Sequence, residues 1–538
     1  MSEQPQHTSS PSGGTPPAQR KPDQTEPDRT APQEQPAPRP FPNSDYIRPG
    51  IDDRPDWDKA LSDEDKAAVQ RLAVHQKPRV APAAATRPEV QAAAMDTSPV
   101  GSVDDPLPDP ESAFLDLRDP MVDAEGHRPS ATDVTRMKVG FALTSFFLSF
   151  ALAAMNLVLV PRQIDSMDGG MHGSIQFAVL AGVGMVVMVL STALLQPLSD
   201  HTRVRFGRRT PWFVGGAVVA VLFTFALAAC STTVAMTIVW AFMQIGFAAM
   251  EFAFFAAIGE RVPDKFRDAV AQWRKVAVGA GLLLGVLFGA LCMRHSMGGI
   301  EICAGLLIAA TCCFLFVVPR EASSVYLHVK PITTADLTVS LRVPHARSSW
   351  VWACLTRLLA GASITVPILF VFFIARYIHG LDDPFSLRDT MVSVVAMAVV
   401  AFVCAGVAAV VLRPVYAKWT SDVRWPVVVA CVIVIAAGCA PWFMRSFMGL
   451  MLYAALCGFS MTMLDDLAQS LAVSVIERSD RRGNYLAVLN TVNTCGKLLG
   501  VIAVGITIAA SDAILPIIVV SSAFALLTIV TAAFVRQQ

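Results

Sequence analysis

From Lys138 onward the chain alternates long apolar runs with short charged turns. The runs lie near 139–160, 174–196, 212–230, 233–258, 276–293, 301–319, 350–377, 391–412, 426–443, 447–474, 485–509 and 513–534. Each has roughly the 20 apolar residues that a helix needs to cross a bilayer, so twelve transmembrane helices are expected. Residues 1–133 follow no such pattern. They are rich in Pro, Ala, Asp, Gln and Thr and poor in aromatic and branched side chains, too polar to bury the surface that would offset chain entropy. They predict a disordered cytoplasmic tail, interrupted only by Ser62-Asp-Glu-Asp followed by Ala67, Ala68, Val69 and Leu72, the pattern of a capped, weakly amphipathic helix. The expected organisation is thus a tail (1–133), a six-helix bundle (138–319), a cytoplasmic central loop (320–349) and a second six-helix bundle (350–538).

Lys and Arg separate by side. Arg203, Arg205, Arg208, Arg209, Arg261, Lys265, Arg267, Arg274, Lys275, Arg320, Lys330, Arg342, Arg347, Arg413, Lys418, Arg424, Arg478, Arg481 and Arg482 fall in one set of loops. The alternate loops hold only Arg162, Arg294, Arg376, Arg388 and Arg445. Basic loops stay in the cytoplasm, which puts both termini there and predicts a multi-pass protein of the plasma membrane. The first residues, Met1-Ser-Glu-Gln-Pro, lack a basic segment followed by an apolar run, so the first span is expected to act as the insertion signal.

Composition sharpens this. Of 538 residues 54% are hydrophobic and 16% charged, against about a quarter charged in soluble proteins. The zero net charge averages an acidic tail and basic loops, and gives nucleic acid no attraction. All eleven cysteines lie between Cys230 and Cys495 without zinc or redox spacing, and no histidine sits well inside a span. No metal site or cofactor is expected, and no Ser/His/Asp or Cys/His set points to an enzyme. Gly496-Lys497 is followed by Leu, so no phosphate-binding loop supports ATP drive.

A shift of 215 positions superimposes the halves. It brings Arg209 onto Arg424, Pro211 onto Pro426, Glu251 onto Asp466, Arg267 onto Arg482, and Gly281 and Gly285 onto Gly496 and Gly500. Two bundles related by a parallel repeat allow a carrier to rock about a central site.

The turn Pro197-Leu-Ser-Asp-His-Thr-Arg-Val-Arg-Phe-Gly-Arg-Arg-Thr-Pro-Trp212 resembles the loop between helices 2 and 3 of the major facilitator superfamily. Its longer form, Ser-Asp-x-Thr-x-x-Arg-x-Gly-Arg-Arg-x-Pro, is most similar to the glycoside-pentoside-hexuronide cation symporters and the sucrose-proton symporters. Glu260-Arg-Val-Pro-Asp-Lys-Phe-Arg267 resembles the same family's segment after helix 4. The chain departs from the pattern at Gln196, His201 and Asp268, and the second-half copy, Arg413 to Pro426, is more degraded. The resemblance covers residues 138 to 535. It implies a conformational latch built from Asp200, Arg205, Gly207, Arg208, Arg209, Arg267 and Arg482; the alternative is that these arginines only set topology. Asp200 is the one carboxylate inside the turn able to pair with them.

Few charges lie within the spans: Glu251, Arg357, Asp465, Asp466 and Lys497. An ionised side chain at mid-bilayer costs about 2.5 to 3.5 kcal/mol and usually faces a protein interior or a water-filled path. At 1.5 Å per residue, Asp465 and Lys497 both sit about 14 to 20 Å from the cytoplasmic ends of their helices, which allows them to meet. Asn490, Asn493, Thr494 and Lys497 recur at helical spacing, as do Ser149 and Asn156, Gln244 and Glu251, and Asp465 and Gln469. Such polar faces suit a hydroxyl-rich solute, although amides also join helices, at about 0.6 kcal/mol each. Glu251 with Asp465 or Asp466 is expected to bind the driving cation, with Arg357 and Lys497 neutralising the vacated carboxylates; the alternative is a fixed ion pair. The function expected is a monomeric secondary transporter, a proton- or sodium-coupled symporter of a sugar or glycoside. An exporter or antiporter of amphiphiles and a non-transporting sensor are the alternatives.

Overall fold

The computed structural model describes residues 129–535, apart from 322, 326–347, 380–383, 413–421, 423, 476–481 and 512. The expected tail, its Ser62 helix, most of the central loop and most of the Arg413 to Pro426 copy lie outside the described residues. Every regular element among those described is helical.

The first helix, α1 (Ala131–Met167), begins inside the stretch assigned to the tail. Ser130 Oγ accepts the Asp133 N–H at 3.2 Å and the Asp133 carboxylate accepts the Ser130 N–H at 3.4 Å. This reciprocal cap starts a polar overhang before the apolar run. Then follow α2 (Gly170–Asp200), α3 (Thr210–Ala228), α4 (Thr233–Arg261), α5 (Asp264–Leu291) and α6 (Ser296–Cys312). The second half is α7 (Ser348–Leu369), continued beyond Phe370 by the short helix Val371–Arg376, then α8 (Leu387–Val407), α9 (Arg424–Phe443), α10 (Phe447–Ser474), α11 (Arg482–Ser511) and α12 (Pro516–Phe534).

By length and hydropathy these make eleven continuous apolar stretches, because Asp264–Val317 runs unbroken for 54 residues. A straight helix of that length would extend about 80 Å, far beyond a bilayer. The chain instead turns through a 3₁₀ segment, Cys292–His295, and both α5 and α6 pack against α1. The described residues therefore make twelve crossings, and the chain is a multi-pass membrane protein.

The contacts repeat between halves. Within the first bundle α1 packs on α5 and α6, α3 on α4 and α6, and α2 on α4; within the second α7 packs on α11 and α12, α9 on α10 and α12, and α8 on α10. Each pairing maps onto its counterpart six helices later. The bundles meet along α2 with α11 and α5 with α8, two seams that the same pseudo-symmetry exchanges.

Small residues set the closest approaches. A Cβ on Gly281 would lie 2.5 Å from the Phe146 carbonyl, and one on Gly285 2.4 Å from that of Phe150, both on α1. Their repeat partners Gly496 and Gly500 stand in the same relation to Leu358 and Ala362 on α7, at 2.0 and 2.7 Å. Without a hydrophobic drive between helices in lipid, such backbone proximity is what holds spans together.

Candidate functional site

Three groups of polar side chains stand out: the first lies within the first bundle, and the other two each include a contact between the bundles. The first is at the arginine-rich face. Arg209, 1% exposed, pairs with Asp200 and Glu260 and donates to Ser199 Oγ at 3.0 Å; its Nε lies 2.9 Å from Glu260 Oε1. Arg208 meets the same glutamate at 3.0 Å. Burial opposes the Arg209 charge, but Glu260 and Asp200 outweigh it and raise its pKa.

Glu321, just beyond α6, accepts from the backbone N–H of Arg208 at 2.8 Å, Arg209 at 3.0 Å and Thr210 at 2.9 Å. It thereby neutralises the orphan donors at the start of α3, while Arg261 holds its other side at 2.8 Å. Burial pushes its pKa up; Arg261 and these N–H groups outweigh that and hold it below 4.5. Gly207 makes room, since its φ is +88° and a Cβ there would fall 2.2 Å from Glu321 Cδ.

Asp200 is thus not the sole partner of these arginines. Glu260 is brought in by the α3 and α4 pairing and Glu321 by the chain leaving α6. Arg267 instead accompanies Asp264 at 2.8 Å and donates to the Gly259 carbonyl at 3.2 Å, closing the end of α4. Arg205 is exposed and outside this network. The Arg482 side chain lies outside the described residues.

The second group is central. Arg357 on α7, buried, donates to Asp465 Oδ1 at 2.7 Å and to the Asp465 carbonyl at 2.9 Å. Lys275 lies 3.9 Å from Asp466 across the two bundles. The loop position expected for Lys275 is corrected here, for it stands well inside α5. Asp465 and Asp466 keep side-chain exposures of 47% and 38% and Lys275 one of 40%, so solvent reaches this group everywhere but at Arg357.

Lys497 is at the same level, because Gly496 packs on Leu358, the neighbour of Arg357. It forms no ion pair with Asp465 or Asp466, although its charge acts on Asp465. Glu251 is exposed, well round α4 from the outward apolar stripe of Val234, Ile238, Phe242 and Ile245. One turn on, Phe255 carries the Arg274 guanidinium 5.0 Å from its ring.

Among the amides, Gln469 is buried with Oε1 unpartnered, and Asn493 Oδ1 is buried without a partner against Gly361. Asn156 lies in a π turn, Met155–Leu159, with its Oδ1 also unpartnered. Asn490 accepts at its backbone carbonyl from Thr494 Oγ1 at 3.1 Å. Ser149 bonds the Ser145 carbonyl at 2.6 Å under Gly281, and Gln244 packs beside Gly184. Both therefore belong to helix contacts, α1 with α5 and α2 with α4.

The third group seals the opposite face and went unread in the sequence. The Tyr377 hydroxyl donates to Asp165 and accepts the Gly170 N–H at 2.8 Å. Arg376 lies 3.7 Å and Arg162 3.4 Å from the same carboxylate. Phe177 of α2 meets Phe370 and Phe373 at 5.3 and 5.5 Å between ring centres, so an aromatic plug backs the polar clasp. An acid three residues after Arg162 was the available signal, but Tyr377 and Arg376 come from the other half.

No protein-family model matches the chain, and no curated protein matches it. Solved structures do. The nucleoside transporter NupG aligns over 74% of this chain and 97% of its own, at 16% identity and a TM-score of 0.56. A mutant of NupG gives 13% and 0.59 over 74% of this chain and all of its own. A bacterial homolog of the human lysosomal transporter Spinster, inward-facing and unoccupied, gives 13% and 0.55 over 76% of this chain and all of its own. The chain shares the fold of these transporters. At these identities the likeness carries the fold and nothing narrower.

Proposed function

We propose that the chain is a secondary active transporter working by alternating access, and that it symports a sugar or glycoside with a proton or a sodium ion. The observation that carries this is the central charge group. Ionised residues from α5, α7 and α10 converge where two symmetric bundles meet, at a depth where a charge without function is selected against.

Asp465 or Asp466, with Glu251, binds the cation. Arg357 takes over Asp465 when the cation leaves, and Lys275 takes over Asp466. Because Lys275 belongs to one bundle and Asp466 to the other, that exchange links occupancy to the relation between the bundles. The clasp at Asp165 and Tyr377 closes one entrance, and the arginine-rich latch, placed at the cytoplasm, governs the other. An alternating carrier needs both.

A second reading, export of amphiphiles, is favoured by a cavity of about 500 Å³ between α2 and α11 lined by Val179, Val183, Val186, Leu498, Ile502 and Ile506. Purified protein in liposomes decides between them. An imposed proton or sodium gradient is expected to drive labelled mono-, di- or oligosaccharide inward. Extrusion of a detergent-like solute favours the second reading, and binding without flux marks a sensor and overturns both.

A further inference from the structure

We propose that the solute carries a negatively charged group and that Lys497 binds it. The inference rests on the transport reading and narrows its substrate class. Lys497 is central in its helix, 15 residues after Arg482 and 14 before Ser511. It is exposed, yet on the side of α11 away from the outward-facing Leu499. It therefore faces the space between the bundles and not the acyl chains.

The charges around that space do not cancel. Arg357 is matched by Asp465 at 2.7 Å and Lys275 by Asp466 at 3.9 Å. Arg274, over Phe255, and Glu251, one turn before it, add one charge of each sign. Lys497 is the surplus. Among the described residues it lies within 4.0 Å of no carboxylate. An ammonium without a fixed counter-charge is stabilised by an anion that stays in contact with it, and a neutral solute would leave the surplus in place.

Asn493, one turn from Lys497, has its unpartnered Oδ1 buried against Gly361 of α7, and the unpartnered Oε1 of Gln469 is likewise closed off from solvent. These oxygens belong to helix contacts, so the charge of Lys497 sets the ligand class, a carboxylate or phosphate monoanion.

The test uses purified full-length protein and matched probes, hydroxy-acids against their primary amides and sugar phosphates against the parent sugars. The readout is the thermal unfolding midpoint, followed by flux in liposomes. Acidic members are expected to stabilise and neutral ones not. Lys497→Gln is expected to weaken acid binding about 10- to 100-fold, the loss of one charge-assisted hydrogen bond, and Lys497→Arg to retain it. An unchanged midpoint without ligand shows that Lys497→Gln is folded. Stabilisation by neutral members alone, equal binding to the variant, or no stabilisation by any probe overturns the proposal. Acids that bind without flux would remove the transport reading and leave this one; neutral solutes carried in place of acids would do the reverse.

Discussion

The Tyr377 hydroxyl donates its hydrogen bond to Asp165, 212 positions away and in the other bundle. The same oxygen accepts the Gly170 N–H, in the first turn of α2 where no helical partner exists. One phenol thus ties together the two bundles and a helix start.

Tyr377→Phe removes both bonds while keeping the ring. The expected outcome is faster amide hydrogen exchange over residues 168–174 and 371–378, with the remaining helices unaffected. Asp165→Asn should act in the same direction and more strongly, because Arg162 and Arg376 lose their shared counter-charge. Unaltered exchange in both variants would show that this face is held by the Phe177, Phe370 and Phe373 plug alone.

Gly207 is under two constraints, a φ of +88° and the approach of Glu321. Gly207→Ala is expected to lower stability by about 1 to 2 kcal/mol from the backbone alone, and further as Glu321 is pushed from the start of α3. Gly215→Ala is the control, for a Cβ there meets nothing within 4 Å; it should be neutral or stabilising by up to about 1 kcal/mol. Thermal unfolding in detergent separates the two.

Glu321 predicts a pH dependence. Its folded pKa is held below 4.5, so folding favours the ionised form. Its contribution is complete above the unfolded value and is lost as pH falls through the folded one. Stability of the protein minus that of Glu321→Gln should therefore be constant near neutral pH and shrink below about pH 4.5. A difference that grows on acidification would contradict the assignment.

Removing Arg209 leaves Glu260 and Asp200 facing each other around a vacated buried site. Arg209→Ala is expected to cost about 3 to 5 kcal/mol, the usual penalty for stranding a buried partner, and to lower the yield of folded protein. Arg205→Ala, on an exposed side chain outside the network, should change stability by less than about 0.5 kcal/mol. Comparable losses in the two would mean that the arginines serve topology alone.

Much of the fold was legible because bilayer thickness imposes one length on every span, and because Gly281, Gly285, Gly496 and Gly500 repeat with their packing role. Arg357, Asp465, Asp466 and Lys497 stand out because few charges lie within spans, but which acid meets which base was not legible: helix depth allowed Asp465 to meet Lys497, whereas its ion pair is with Arg357. The rest depended on contacts that spacing does not reveal. Glu321 reaches Arg208 across 113 positions, and Asp165 meets Tyr377 across 212. Lys275 resembled a loop cation because α5 begins with more than two turns of mixed polar residues before its apolar run. Ser149 shared a helical face with Asn156, but Gly281 turns that part of the face into a helix contact.

The most direct test compares Asp465→Asn and Asp466→Asn with the unaltered protein in liposomes, reading solute accumulation under an imposed cation gradient and solute exchange without one. The account predicts that at least one variant loses gradient-driven accumulation while keeping exchange. Accumulation against a gradient by both variants, equal to that of the unaltered protein, would contradict it.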